Sequence, residues 1–210
     1  MILDKESILI NKLAEIKTSV EYTLGDDRAS SIAITSSKKS DGKTFFSRSF
    51  ANIHWGESEK IIVIDTDVYS QNLSKKYRLK NNRGLIQYIR NHDHLDNLYV
   101  KIGEIYVLPV GQMTGTMNQN LFDSTSINKL KKELYARGFT KIIFDCSPVL
   151  LFSEPAVIAS CCDLCILLLS YNSTKEIDLM RCKEKLNRLG MHNIAAVLNK
   201  SRYVKNDYVY

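Results

Sequence analysis

A loop that closes in Gly42-Lys43-Thr44 has the residue types that bind the phosphates of a nucleotide. In such a loop, consecutive backbone N–H groups surround the phosphates, and the following helix N-terminus adds positive potential. Lys43 is expected to reach the β- and γ-phosphates, and Thr44 to place its hydroxyl on Mg²⁺. Gly42 has no Cβ, which lets the backbone approach the phosphate closely. The predicted phosphate contacts are Ser37, Lys38, Lys39, Ser40, Asp41, Gly42, Lys43 and Thr44.

Three carboxylates follow two other apolar runs of the chain. Asp65 and Asp67 come directly after residues 61–64, and Asp145 comes directly after residues 142–144. A carboxylate just beyond a buried strand can hold Mg²⁺ through water, at the sheet edge where nucleotides bind. A lone Asp in this place is usually a turn residue. Three together, in register with a phosphate-binding loop, predict a metal–nucleotide site.

The elements that would position these residues alternate between strands and helices. Continuous apolar runs predict six strands buried on both faces, at residues 32–35, 61–64, 105–108, 142–144, 164–169 and 195–198. Helices are predicted at residues 43–55, 124–137, 154–160 and 174–189. The predicted fold is therefore α/β with three layers, a mostly parallel central sheet and flanking helices. One domain is expected over residues 1–200, led by a helix at about 4–24, with a mobile tail at 201–210.

Composition narrows the class of protein. The net charge of +6 favours acidic partners such as phosphates or an anionic membrane surface, although many basic proteins are simply soluble. No nucleic-acid-binding module is visible, so no nucleic-acid partner is expected. No apolar run approaches the ~20 residues of a membrane span, and no secretory signal opens the chain. The five cysteines are expected to be reduced thiols, mostly in the core, in a cytoplasmic protein.

Several of these motifs together resemble those of the bacterial tyrosine kinases of capsule and exopolysaccharide synthesis. These belong to the wider MinD/ParA-like group of P-loop proteins. The family loop is matched from Thr35-Ser36-Ser37 to Thr44, and its two acidic motifs by Asp65-Thr66-Asp67 and Asp145-Cys146-Ser147-Pro148. Gly84-Leu85 and Leu108-Pro109-Val110-Gly111 are similar to further family turns. The resemblance covers nearly the whole chain and implies the fold of P-loop NTPases.

The resemblance implies roles for particular residues. ATP and Mg²⁺ would be the cofactors, with Thr35 and Asn199 added to the ATP site, since related proteins often contact adenine where Asn199 lies. The implied metal-binding residues are Thr44, Asp67 and Asp145. The implied catalytic residues are Lys43, Asp65, Asp67 and Asp145. How Asp65 and Asp67 divide the work is left open; the family suggests that Asp67 is nearer the metal and Asp65 nearer the acceptor.

The tail carries tyrosines that the resemblance makes candidates for autophosphorylation. Tyr203, Tyr208 and Tyr210 fall in the last eight residues, with no surrounding core pattern. On composition alone, a disordered end explains them equally well. In the family a C-terminal tyrosine cluster is phosphorylated, so phosphorylation of these residues by a neighbouring copy is expected.

The chain departs from the family pattern at several positions. Tyr69 stands where the family has Arg, and Ser147 replaces the first Pro of its second acidic motif. The stretch after Gly111 lacks a Pro-Pro-Asn-Pro sequence. Two of three charged groups of the family's ring-forming helix are missing, which puts ring assembly in doubt; the aligned positions are Asn11, Ala14 and Lys17.

The resemblance also implies partners and a location. A transmembrane polysaccharide co-polymerase with a cytosolic tail would activate the protein at the inner face of the membrane, and a tyrosine phosphatase would reverse its action. The basic stretch 75–80, with Arg83, would face a partner, lipid headgroups or simply solvent.

Two alternatives remain open. One is a MinD/ParA-like ATPase switch, which would depend on Lys38, although Lys38 is more simply interpreted as a solvated loop lysine. The other is a catalytically weakened, nucleotide-binding regulator of polysaccharide assembly.

Overall fold

Continuous apolar segments form the central sheet of the protein. The computed structural model describes residues 5–25, 29–80, 82–91, 93–112, 121–171 and 173–201. Within these ranges the sheet has seven strands: β1 Ser30–Ser36, β2 Ile61–Asp65, β3 Val100–Ile102, β4 Ile105–Leu108, β5 Lys141–Asp145, β6 Leu164–Ser170 and β7 Ile194–Asn199. Their order across the sheet is β3-β4-β2-β5-β1-β6-β7. The central strands β1, β2 and β5 are buried along their whole length, including the polar residues at their ends, and the apolar run in each predicts burial on both faces.

The sheet is parallel except at one edge. β3 pairs antiparallel with β4, and the remaining neighbours pair in parallel. The six predicted strands correspond to β1, β2, β4, β5, β6 and β7. β3 was not predicted, because it has only three residues and its signal is too short to separate from the turn that joins it to β4. The predicted α/β fold class is confirmed.

Helices cover both faces of the sheet and make the three layers. One face packs against α1 (Lys5–Leu24), α2 (Lys43–Ala51) and α3 (Asn72–Lys76), through side chains such as Leu13, Phe50 and Leu73, and the other against the helices that follow α3. The prediction for 154–160 matches α6, whereas α2 ends at Ala51 and not at residue 55, and two short helices were missed. The helices are α1 Lys5–Leu24, α2 Lys43–Ala51, α3 Asn72–Lys76, α4 Leu85–Asn91, α5 Ser124–Ala136, α6 Glu154–Ser160 and α7 Glu176–Arg188, with a 3-10 turn at Leu95–Asn97.

The cysteines lie in or beside the core. Cys162 is half-buried and the other four are buried, and all five thiols are free. No cluster of metal-binding side chains occurs in the described part of the chain. These observations agree with the interpretation of the cysteines as small core residues. Across the same residues, no helix combines the length and the apolar character needed to cross a membrane.

Gly84 provides a test of how the loops pack at the sheet edge. Leu85 N–H donates to the Pro109 carbonyl at 2.9 Å, so the two glycine-containing turns 84–85 and 108–111 lie against each other. A Cβ on Gly84 would overlap the Pro109 carbonyl oxygen and lie 2.8 Å from the backbone N of Gly111.

We therefore expect Gly84→Ala to lower the free energy of unfolding by about 2 kcal/mol, because backbone must move to admit the methyl group. Chemical denaturation measures the change. Gly103→Ala is the control, since an added Cβ there meets nothing within 4 Å and only the φ of +60° is unfavourable. Equal losses in the two variants would contradict the packing argument.

Candidate active site

Parallel pairing brings the loop and the acidic residues to one edge of the sheet. Asp65 is the last residue of β2 and pairs with Asp145, the last residue of β5. Asp145 also pairs with Ile34 of β1, so the loop after β1 begins beside it. The carboxyl ends of β1, β2 and β5 are therefore adjacent, and the chain segments that follow them face one another.

The loop is held in a tight curve at the start of α2. Ser40 has a φ of 64° and Gly42 a φ of 96°, both left-handed. Asn199, the last residue of β7, and Lys200, which follows it, support this curve: Asn199 Nδ2 donates to the Asp41 carbonyl at 2.8 Å and Lys200 Nζ to the Ser40 carbonyl at 2.6 Å. A Cβ on Gly42 would overlap the Asn199 side chain, so a larger residue is excluded there.

Lys43 lies inside this curve. Its Nζ donates to Ser36 Oγ at 3.0 Å and to the Lys38 carbonyl at 3.4 Å, and the side chain is buried. Burial lowers the pKa of Lys43, whereas the nearby carboxylates Asp145, Asp67 and Asp41 oppose that shift. Neutral oxygens are weaker partners for an ammonium than charged ones, so a phosphate would compete well for this group.

Asp145 accepts hydrogen bonds from two hydroxyl groups of α2. Thr44 Oγ1 donates to its Oδ2 at 2.7 Å, and Ser47 Oγ donates to its Oδ1 at 3.0 Å. Burial raises the pKa of Asp145 to about 7, Asp65 adds to the rise, and the hydroxyl donors oppose it. Sequence reasoning missed Ser47, although its spacing of four from Lys43 places the two on one helix face.

Asp65 and Asp67 differ in how far their oxygens are already engaged. Asp65 is fully buried: its Oδ2 accepts from Ser74 N at 2.8 Å and from Ser74 Oγ at 2.6 Å, and its Oδ1 accepts from Asp67 N. Burial raises the pKa of Asp65 to about 6. Asp67 instead lines a pocket of about 180 Å³, called here the loop pocket, with Ser40, Gly42, Lys43, Thr44, Phe45 and Asn72.

Other predicted ATP-site residues lie around the loop without lining this pocket. Thr35 is fully buried, and its hydroxyl donates to the Ser147 carbonyl at 2.7 Å. Ser37 Oγ is buried with no hydrogen-bond partner among the described residues, which leaves a polar group unsatisfied within the loop. Lys39 is exposed. The tail tyrosines Tyr203, Tyr208 and Tyr210 lie outside the described residues.

Comparisons with known proteins give this arrangement a family context. No protein-family model matches the chain. Tyrosine-protein kinase YwqD of Bacillus subtilis is 22% identical over 210 residues, which is 99% of this chain and 88% of that protein. Tyrosine-protein kinase CpsD of Streptococcus agalactiae is 25% identical over 191 residues, 88% of this chain and 80% of that protein.

The chain is a relative of the bacterial tyrosine kinases. The resemblance inferred from its motifs is thereby confirmed. The kinase domain of the Escherichia coli tyrosine kinase ETK has the same fold, with a TM-score of 0.79, 22% identity and coverage of 96% of this chain and 80% of that one. The MinD cell division protein of Aquifex aeolicus also shares the fold, with a TM-score of 0.66 at 20% identity over 83% of this chain and 70% of that one.

Lys38 is partly exposed and is also paired. Its Nζ forms an ion pair with Asp178 Oδ2 at 2.9 Å and donates to the Ser173 carbonyl at 3.1 Å. The side chain keeps 42% of its surface exposed, as the interpretation as a solvated lysine expects. The ion pair with the first turn of α7, more than a hundred residues away, was not predicted from the sequence.

Tyr69, which replaces the Arg of the bacterial tyrosine kinases, is also fixed by contacts. Its ring stacks on Phe152 with centroids 3.8 Å apart, and its hydroxyl donates to Glu154 Oε1 at 2.9 Å. Burial and the acceptor Glu154 raise the pKa of Tyr69 to about 12. Tyr69 is thus a neutral residue that joins the segment after β2 to the start of α6.

The two buried carboxylates give the protein a predicted pH dependence. The pKa values of Asp65 and Asp145 lie above the ordinary carboxyl value, so between about pH 4 and pH 7 the folded state holds protons that the unfolded state has released. Stability should fall as the pH rises through this window, by up to about 1.4 kcal/mol per pH unit for each group. Asp145→Asn should flatten the fall, because the amide carries no titratable proton.

Thermal unfolding without nucleotide or metal, from about pH 5 to about pH 8, measures this dependence. Glu57→Gln, an exposed carboxyl in the turn before β2, is the control and should keep the wild-type slope. If Asp145→Asn also keeps the wild-type slope, the buried carboxyl does not titrate as described.

Proposed function

We propose that this protein is an ATP-dependent tyrosine kinase of capsule or exopolysaccharide synthesis. The observation that carries the proposal is the contact of Thr44 Oγ1 with Asp145 Oδ2 at 2.7 Å, directly beside the curved loop and Lys43. A hydroxyl and a carboxylate this close together are the groups that a Mg²⁺–nucleotide site would use, which supports the proposal. The named relatives are tyrosine-protein kinases that match over most of their own length, so tyrosine is the proposed acceptor.

The residues at this edge fit a bound Mg²⁺. Thr44, Asp67 and Asp145 offer the oxygen ligands that this ion prefers. Mg²⁺ usually keeps several waters and uses one or two carboxylates with substrate phosphates. The lack of a cluster of three or more His, Cys, Asp or Glu ligands among the described residues therefore does not conflict with this assignment.

The side chains of the protein would then act mainly by positioning the phosphates and stabilising their charge. Lys43 would exchange its contacts with Ser36 and the Lys38 carbonyl for oxygens of the β- and γ-phosphates, with the loop N–H groups beside it. Mg²⁺, when bound, supplies charge neutralisation of these phosphates. Thr44 and Asp145 would hold it, and Asn199 would contact the adenine while keeping the loop curved.

Asp67 is the better placed carboxylate for the acceptor and the metal shell. It lines the loop pocket, whereas both oxygens of Asp65 are engaged by Ser74 and Asp67 N–H. Asp67 would orient the acceptor phenol and take its proton as the oxygen–phosphorus bond forms and ADP leaves. Asp65 would fix the Asp67 segment. This assignment reverses the division that the family resemblance suggested for the acceptor.

The same proposal extends to partners and location. A membrane protein with a cytosolic tail would activate the kinase at the inner face of the membrane, the tail tyrosines would be substrates of a neighbouring copy, and a phosphatase would remove the phosphate. The resemblance to bacterial tyrosine kinases supports these steps. On α1, Lys17, the remaining charged position of the ring-forming pattern, forms an ion pair with Glu21 of its own helix at 3.4 Å.

A MinD-like ATPase switch is the second candidate, and the shared fold favours it. In that case Lys38 would leave Asp178 to act across a dimer. The tyrosine kinases, with the higher TM-score and the curated sequence relatives, make the kinase the better supported function.

Lys43→Met tests the kinase directly. Purified protein with Mg²⁺ and ATP, with and without membranes, should form phosphotyrosine on Tyr203, Tyr208 or Tyr210, as mass spectrometry would show. Lys43→Met should lower the rate by at least about 100-fold, because the charge that stabilises the transferring phosphoryl group is gone. Lys129→Met, an exposed lysine of α5, is the matched control and should keep full activity.

Absence of phosphotyrosine from the wild type under all conditions would overturn the kinase. If ATP hydrolysis then depends on Lys38, as shown by Lys38→Ala, the switch takes its place. Nucleotide binding without either product would identify a regulator that has lost the chemistry.

A further inference from the structure

The two departures from the family motifs, Tyr69 and Ser147, lie in facing segments. Tyr69 follows β2 and Ser147 follows β5, and these strands pair in parallel up to Asp65 and Asp145. Each residue makes a contact that crosses from one segment to the other. The first contact is the hydrogen bond of Ser147 Oγ to Asp67 Oδ1. The second is the packing of Tyr69 on Phe152 and Glu154, which we call the clamp.

The Ser147 contact determines which oxygen of Asp67 is available. Asp67 Oδ1 accepts three hydrogen bonds: from Ser147 Oγ at 2.8 Å, from Tyr69 N at 3.2 Å and from Ser70 N at 3.0 Å. No hydrogen bond to Oδ2 occurs within the described ranges. Because Oδ1 is saturated, Oδ2 is the atom left to act in the loop pocket.

Ser147 is itself fixed, so its hydroxyl is a well-placed donor. The residue is buried, with 3% of its surface exposed. Its carbonyl accepts from Thr35 Oγ1 at 2.7 Å, and Val149 N–H donates to the Ser36 carbonyl at 2.9 Å. These bonds anchor the segment to β1, directly before the phosphate-binding loop. Ser147 therefore relates the position of Asp67 to that of the loop.

Tyr69 holds the same two segments together further from the sheet. Its ring stacks on Phe152 at an interplanar angle of 16°, and its hydroxyl donates to Glu154, the first residue of α6. An aromatic pair of this kind is favourable beyond the apolar area that it buries. Tyr69 N–H also donates to Asp67 Oδ1, so a shift of Tyr69 would also shift the Asp67 carboxylate.

We propose that Ser147 is a positioning residue that directs Asp67 Oδ2 into the loop pocket, and that Tyr69 clamps the two segments at the required spacing. A proline at position 147 could not donate this bond, and an arginine at position 69 would bring a charge that the tyrosine lacks. The role in phosphoryl transfer rests on the proposed function, whereas the role towards Mg²⁺ can be measured without it.

Ser147→Ala removes the donor and tests the proposal in the full chain. Binding of a fluorescent ATP analogue is followed as Mg²⁺ is added, and phosphotyrosine formation is measured alongside. The half-saturating Mg²⁺ concentration should rise about tenfold, the loss typical of an outer contact that orients a metal ligand. Nucleotide binding without Mg²⁺ should stay within about twofold, and kcat should fall with little change in KM for ATP.

Matched variants separate positioning from a general loss of structure. Ser31→Ala removes a second Ser–carboxylate bond, from the buried Ser31 Oγ to the exposed Asp163 at 2.6 Å, at the opposite end of β1, and should leave the Mg²⁺ dependence unchanged. Ser147→Thr keeps the hydroxyl and should restore it. Ser147→Cys keeps the volume but donates weakly, and should resemble Ser147→Ala even if the alanine variant folds poorly.

Tyr69→Ala tests the clamp in the same assay and should raise the half-saturating Mg²⁺ concentration severalfold. Tyr99→Ala is its control, since Tyr99 also packs on two aromatic rings, edge-on to Tyr106 and Phe139, next to the edge strand β3. An unchanged Mg²⁺ dependence in Tyr69→Ala would overturn the clamp.

The readouts distinguish the two proposals. If the wild type forms no phosphotyrosine but the Mg²⁺ shift of Ser147→Ala is present, the kinase fails and the positioning role stands. If Ser147→Ala and Ser147→Cys bind the Mg²⁺–nucleotide as the wild type does, the positioning role is overturned, whatever the kinase assay shows.

Discussion

The buried carboxylate of Asp145, at the carboxyl end of the central strand β5, constrains the position of α2 and of the loop before it. A charge in this place is costly unless donors or cations surround it. Here Thr44 and Ser47 donate to both of its oxygens, and Lys43 lies close by. These three residues belong to the first turns of α2, so the helix must start where it does. The curve of the loop, supported from β7 by Asn199 and Lys200, follows from that placement.

Cofactor binding would relieve the same constraint. Lys43 is held by a hydroxyl and a carbonyl, and the carboxylates Asp65 and Asp145 have raised pKa values because of burial. A metal and a phosphate bring the opposite charges to each of these groups. The structure is therefore arranged to gain stability from a Mg²⁺–nucleotide, since a ligand that binds only the folded state stabilises it. In a kinase, the same groups would stabilise the charge on the phosphoryl group as it is transferred.

Local sequence was sufficient for the parts of the fold with strong local signals. The buried strands, the loop and the acids at strand ends were predictable because apolar runs and the Gly42-Lys43-Thr44 spacing are contained in a few residues. The edge strand β3 and the short helix α3 were missed, since three and five residues carry too little periodicity. The helix α4 was also missed, although the equally short α6 was predicted. The Lys38–Asp178 and Asp67–Ser147 contacts were beyond reach, because they join segments 140 and 80 residues apart.

A crystal structure with Mg²⁺ and a non-hydrolysable ATP analogue is the most direct test of the central claim. The account predicts that Lys43 Nζ leaves Ser36 and the Lys38 carbonyl for the phosphates. It also predicts that Thr44, Asp145 and Asp67 Oδ2 face the metal or its waters. A nucleotide bound elsewhere, with Lys43 still on its present partners, would contradict it.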